Sequence, residues 1–148
     1  ADAAGLVLDL RWCPGGYIDP GVQIAGLFLP PNTVVSRTEL LPSVAENLPG
    51  QFRTELRSPT RGGRFATGPG GVLVGAETVG GGELIAAALQ DHGRAAVAGQ
   101  RTAGRAAALQ PIDLRYGGLE FKATYGMSLR PGGRPRHRGP TSGPADDW

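Results

Sequence analysis

Cysteine is almost missing from this chain: Cys13 stands alone, which rules out an internal disulfide and leaves the compartment open. Lysine is equally scarce, Lys122 being the only one, so the formal net charge of +2 is carried by arginine. No basic stripe interleaved with aromatics accompanies those arginines, which argues against nucleic-acid binding. The sole basic cluster, Arg130–Arg138 (RPGGRPRHR), has the Pro and Gly of a solvated loop. No apolar run reaches the roughly 18 residues of a membrane span, and no charged-then-apolar signal peptide opens the chain. The first residues, ADAAGLVLDL, lead almost directly into a strand, as expected of a piece cut from a longer protein with upstream domains. Neither His92 nor His137 has metal-ligand spacing around it, and no GxxxxGK[ST] loop is present, so neither a metal nor a cofactor is expected.

What is abundant is turn chemistry. Gly 25 and Pro 13 in 148 residues imply much loop, while 40% hydrophobic and 19% charged residues imply a globular chain. Length alone suggests one domain over residues 1–148. Gly5–Leu10 is a short apolar run with one carboxylate, as a buried parallel strand would be. After the break at RWCPGG, Asp19 is placed to cap a helix with Pro20 at its first position, running to Leu29. Thr33–Ser36 follows as a β-branched strand. Residues 39–70 are the least regular, with a short helix near Ser43–Asn47 and otherwise a surface loop. Gly71–Gly75 and Ala95–Ala98 are strands flanking a helix over Glu83–Gln90, whose Leu84, Ile85, Ala88 and Leu89 share one face. Leu109–Leu114 and Leu119–Thr124 form a hairpin about Tyr116-Gly117-Gly118, and residues 131–148 an extended Pro/Gly-rich tail. The expected class is α/β, with a mixed sheet and short helices.

The densest chemical signal is Thr78–Arg94, TVGGGELIAAALQDHGR. A strand runs into a glycine triplet that opens a helix, which presents bare backbone N–H groups at a helix N-terminus. In many α/β enzymes such a corner carries a nucleophile and stabilises an oxyanion. Here it carries only glycine.

Three blocks, GLVLDLRWCPGG at Gly5–Gly16, ETVGGGELIAAALQDHGRA at Glu77–Ala95 and VAGQRTAGRAAALQPIDL at Val97–Leu114, lead to LRPGG at Leu129–Gly133. In order and spacing this resembles the catalytic domain of the tail-specific, or C-terminal processing, proteases, whose patterns are LDLRxNPGG, SASASE, QDxGRA and TxGKGxxQ. The resemblance implies a ClpP/crotonase-like fold and a peptidase in which a neutral lysine takes the proton of a serine. Burial lowers the pKa of such a lysine far enough to free its amine. A PDZ domain often precedes the domain and a GIxPD-like segment follows it; this sequence has no resemblance to the first and ends at PADDW. Family members usually work outside the cytoplasm, so the resemblance implies a periplasmic or secreted bacterial setting.

Carried over residue by residue, the family serine falls on Gly80, the lysine on Arg105, and the glutamine that some members use to orient the lysine on Leu109. Glycine offers no nucleophile, arginine stays protonated because its pKa exceeds about 12, and leucine cannot hydrogen-bond an amine. Gly15 and Gly16 match the turn that supplies oxyanion-hole N–H groups, and Gly81 matches the other donor; the same glycines equally suit a tight turn and a helix start. Thr78 and a Cys13/His92 pair are the substitute nucleophiles to weigh, and both are disfavoured by position. The leading expectation is a catalytically inactive peptidase-family domain that binds extended peptides or unfolded protein C-termini. The alternatives are an active serine-type peptidase with an atypical or externally supplied nucleophile, and a structural or assembly module.

Overall fold

The computed structural model describes residues 3–52, 54–105, 107–114 and 118–134. Ten elements follow in order: β1 (Leu6–Asp9), α1 (Ile18–Phe28), β2 (Val34–Leu40), α2 (Pro42–Asn47), β3 (Glu55–Arg57), β4 (Gly70–Val74), α3 (Gly81–Asp91), β5 (Ala96–Gly99), β6 (Ala107–Asp113) and β7 (Glu120–Leu129). The class is mixed α/β as expected, with parallel and antiparallel pairing segregated into two sheets. β1, β4 and β5 lie side by side in parallel, in the order β1-β4-β5. The other four strands are antiparallel, in the order β3-β2-β7-β6.

The sheets are joined by a helical layer. Leu8, Val72 and Val97 occupy one row across the parallel sheet. They share a core cluster with Val22, Ala25 and Phe28 of α1 and with Leu84, Ile85, Ala88 and Leu89 of α3. Val35 of β2 and Leu56 of β3 close the cluster from the antiparallel side. The buried face of α3 is therefore the one read from its apolar spacing. The two helices touch closely because glycine meets glycine: a Cβ on Gly21 would lie only 3.3 Å from the Gly81 carbonyl oxygen. That close approach brings the start of α1 against the start of α3, where the candidate site lies.

Several expected boundaries move. α1 begins at Ile18 with Tyr17 as its N-cap, so Asp19 sits inside the first turn. There a carboxylate favours the helix dipole and Pro20 is still tolerated. α3 begins at Gly81 rather than Glu83, because the glycines themselves supply its first turn. The irregular stretch contains β3, held by pairing to an extended β2. Residues 131–133 form a turn, closed by Arg130 N–H donating to the Arg134 carbonyl (2.7 Å) and Gly133 N–H to the Arg130 carbonyl (2.8 Å), rather than the start of an extended tail. The expected hairpin turn at Tyr116-Gly117 and the tail from 135 onward lie outside the described residues.

Charged side chains fasten the far end of α3. The side chains of Asp91 and Arg130 are 12% and 7% exposed, with Arg130 Nη2 2.5 Å and Nε 3.0 Å from Asp91 Oδ1. This pair joins the end of α3 to the end of β7. Arg94 donates from Nη1 to the Gly68 carbonyl (3.0 Å) and from Nε to the Phe65 carbonyl (3.0 Å), holding the loop before β4. By contrast Arg57 and Glu55 form a pair at 2.7 Å that is well exposed.

Burial decides which pair matters. Removing one partner of a buried pair costs about 3–5 kcal/mol, because the other charge is stranded, whereas exposed pairs contribute about 0–1 kcal/mol. Asp91→Ala is therefore expected to lower the urea-unfolding free energy by about 3 kcal/mol or more, and Arg57→Ala by less than about 1 kcal/mol. Asp9 gives a second expectation. Hydrogen bonds from the Arg11 side chain, then from the Arg11 backbone N–H, hold its carboxyl at about 2. Its contribution to stability is thus present above the unfolded value of about 3.9 and is lost as pH falls toward 2. In a carbon-detected NMR titration Asp9 should titrate near 2 in the parent and return toward the ordinary range in Arg11→Ala.

Candidate active site

The corner is assembled from three chain segments pinned to one another. β4 ends at Val74, and Thr78, four residues later, is fully buried. Its hydroxyl donates to the Leu10 carbonyl (2.7 Å) and accepts from the Gly75 N–H (2.9 Å), which ties the end of β1 to the end of β4. Its carbonyl accepts from the Ala103 N–H at 3.1 Å. Val79 N–H donates to the Cys13 carbonyl at 2.9 Å, so the loop after β1 is laid directly against the corner.

Gly80 is the turning point. Its φ of 51° and ψ of −103° lie where non-glycine residues are strained. The space beside it is open: a Cβ there would meet only the Gly15 Cα, at 3.9 Å. Conformation, not room, is therefore what disfavours a side chain at this position. Gly15 (φ 98°) rests against Val79, and a Cβ on Gly16 (φ 141°) would have nothing within 4 Å. Among the described residues no acceptor is bonded to the N–H of Gly15, Gly16 or Gly81. Gly81 opens α3, so its N–H also lies at the positive end of a helix dipole. The corner offers unused donors to a carbonyl or carboxylate oxygen.

Glu83 is the residue that sequence reasoning undervalued. It is 5% exposed, and its carboxylate accepts from four donors. Gly80 N–H (2.9 Å) and Arg105 N–H (3.1 Å) reach Oε2; Thr102 Oγ1 (2.7 Å) and Gly104 N–H (2.6 Å) reach Oε1. A carboxylate so surrounded needs no cationic partner, because hydrogen bonds to the charged form replace its water. The available signal was a glutamate in the third helical position, which reaches back to the N-cap N–H. Its reach to residues 102–105 had no local signal.

The candidate residues thus fall into two groups. Gly15, Gly80 and Gly81 are brought together, with Gly16 next along the same loop. Arg105 is joined to the corner by its backbone through Glu83, while its side chain is exposed. Leu109 lies on β6, opposite Thr124 at a bulge, and is 45% exposed. The substitute nucleophiles are not assembled. Both lone-pair and proton of the Thr78 hydroxyl are engaged with backbone. A Cβ on Gly82 would lie 3.1 Å from Cys13 Sγ, so the thiol packs under the first turn of α3. His92 caps the opposite end of that 11-residue helix, about 16 Å away at 1.5 Å per residue. There its Nε2 is 2.7 Å from the Val34 carbonyl oxygen. Among the described residues no group of three His, Cys, Asp or Glu side chains could hold a metal ion, and no helix is long and apolar enough to cross a membrane.

Comparison with known proteins agrees with this architecture. The family model described as Peptidase family S41 matches residues 1–141. The chain is 38% identical over 104 residues to a carboxyl-terminal-processing protease of Synechocystis sp., covering 70% of this chain and 22% of that protein. It is 30% identical over 129 residues to a carboxy-terminal-processing protease of Bartonella bacilliformis, covering 87% of this chain and 27% of that protein. Among solved structures, a photosystem II D1 C-terminal processing protease superposes with a TM-score of 0.71 at 27% identity, covering 90% of this chain and 32% of the other. An S41 protease of Bacteroides fragilis, at 18% identity and a TM-score of 0.69, shares the fold over 86% of this chain and 33% of its own. The chain therefore spans about a quarter of the curated relatives it matches. A family model satisfied over nearly the whole sequence, two stretches at 30% identity or more and a shared fold together make this chain a member of peptidase family S41.

Proposed function

We propose that this domain has lost peptide hydrolysis and binds extended peptides or protein C-termini at the Gly15–Gly16–Gly81 corner. The observation that carries the reading is Gly80. It has the backbone of a strained turn between strand and helix, with an open space beside it, and no side chain to attack a carbonyl. The N–H donors around it lack acceptors among the described residues, which supports retention of a carbonyl or carboxylate group there. Arg105 supports the same reading from the other side. A guanidinium cannot accept a proton from a nucleophile, but it can form a charge-assisted pair with a terminal carboxylate. The family's proteolytic chemistry would need a hydroxyl at 80 and an amine at 105, and neither is in this sequence. An atypical nucleophile within the domain finds no support in the geometry of Thr78 or Cys13.

Two experiments test this. Incubation of the parent domain with an unfolded protein substrate should give no cleavage, and the combined variant Gly80→Ser, Arg105→Lys, Leu109→Gln should gain weak cleavage. Gain will be limited by backbone strain at residue 80, of the order of 1–3 kcal/mol. Turnover by the parent would overturn the reading. Calorimetry with free-acid and C-terminally amidated forms of one peptide should show binding that weakens on amidation and in Arg105→Ala; a folded domain that binds neither form contradicts it. Glu83 supplies a further expectation. Glu83→Ala leaves the buried Thr102 hydroxyl and three part-buried N–H donors without their acceptor, at about 1–3 kcal/mol for a buried one, so it should both lower stability by about 2 kcal/mol or more and abolish peptide binding. Arg105→Ala should leave stability within about 0.5 kcal/mol, since its side chain is exposed.

A further inference from the structure

Two aromatic side chains bracket the Gly15–Gly16 turn and lie in water. Trp12 is 79% exposed and Tyr17 is 67% exposed. Single exposed apolar residues are ordinary on a protein surface, and Phe121 on β7 is also exposed, at 55%, but aromatics make up only 6% of this chain and the two most exposed among the described residues flank one turn. Phe28 pairs with Phe65 (ring centroids 5.6 Å apart), and Phe52 stacks on Tyr125 (4.4 Å). Trp12 and Tyr17 have no ring contact and no side-chain hydrogen bond among the described residues.

Their place in the fold gives that exposure a direction. Both belong to the short loop between β1 and α1, and that loop does not float. Cys13 N–H donates to the Leu10 carbonyl (3.0 Å), and the Cys13 carbonyl accepts the Val79 N–H (2.9 Å), which fixes the loop against the elbow. Gly16 faces open space. Trp12 precedes Gly15 by three residues and Tyr17 follows Gly16 directly. Neither can be farther than about 10 Å along the chain from the N–H groups that would hold a peptide oxygen. A residue of an extended peptide spans about 3.3 Å, so side chains within the last few residues of a bound peptide come within reach of both rings.

We propose that Trp12 and Tyr17 are specificity-determining residues that select peptides carrying an aromatic side chain within their last residues, which would pack against these two rings. The inference rests on the peptide-binding reading of the same corner. Aromatic pairs in offset or edge-to-face contact gain more than their buried area alone, and Trp and Tyr are the residue types most often responsible for binding energy at interfaces. No basic or acidic residue is needed for this preference, which separates it from any carboxylate pairing at Arg105.

The test uses two peptides identical except for the last residue, Phe in one and Ser in the other, titrated calorimetrically against the 148-residue chain. The Phe peptide should bind about tenfold more tightly. In Trp12→Ser combined with Tyr17→Ser the ratio of the two affinities should fall to near one. Both substitutions are at exposed sites, and serine is a favoured N-cap at position 17, so circular dichroism should be that of the parent; Trp12→Ser alone should give an intermediate ratio. With Trp148 replaced by Phe, Trp12 is the only tryptophan, and its emission should shift on adding the Phe peptide. Equal affinity for both peptides in the parent, or a ratio that survives the double substitution, overturns the aromatic preference and leaves peptide binding intact. A folded parent that binds neither peptide overturns both.

Discussion

The buried carboxylate of Glu83 is the interaction on which the rest of the corner depends. Its two oxygens gather Gly80 N–H from the elbow and Thr102, Gly104 and Arg105 from the loop after β5. It ties the loop that carries Arg105 to the first turn of α3, alongside the Ala103 N–H bond to the Thr78 carbonyl. Thr78 performs the matching task on the other side, linking the ends of β1 and β4. The cost of burying these polar groups is offset only because each one finds a partner, so the corner holds as a unit or not at all. That is why the framework of this corner holds with glycine at position 80.

The same logic separates requirements of shape from requirements of reactivity. The close contact of Gly21 with Gly81, the left-handed turn at Gly15 and the strained backbone of Gly80 are requirements of shape. They stay satisfied whatever chemistry is done there. On the proposed reading a hydroxyl at 80 and a neutral amine at 105 would be requirements of reactivity, and the fold exerts no demand for either. Indeed glycine at 80 relieves strain that a serine would have to bear. Shape is preserved here because the corner's scaffold is also the packing between α1 and α3.

Much of this was visible in the sequence because it is local. The period of Leu84, Ile85, Ala88 and Leu89 predicted the buried face of α3, and the β-branched and apolar runs predicted β1, β2, β4 and β5. Gly93, with φ of 61°, follows the end of α3 in the left-handed conformation that glycine favours there. The glycine corner itself was found from spacing, helped by the match to the family's motifs. What could not be read is non-local. β3 is three residues long and exists because β2 is beside it. Asp91 and Arg130 are 39 residues apart and meet only through the tertiary fold, at the ends of α3 and β7. Glu83 gave one local cue, a carboxylate in a first helical turn, which is the commonest and least informative place for one. Asp19 misleads for the opposite reason: a good N-cap residue next to a proline marks a helix boundary, whereas the chain starts the helix two residues earlier and uses both residues inside the first turn.

On the proposed reading, residue 80 sits where an attacking hydroxyl would act and has none. Labelling with a fluorophosphonate, followed by mass spectrometry of the digested domain, tests that claim most directly. The parent should take up no label at any serine or threonine, and the Gly80→Ser, Arg105→Lys variant should be modified at residue 80. Stoichiometric labelling of the parent, at Thr78 or elsewhere in the domain, would contradict the account.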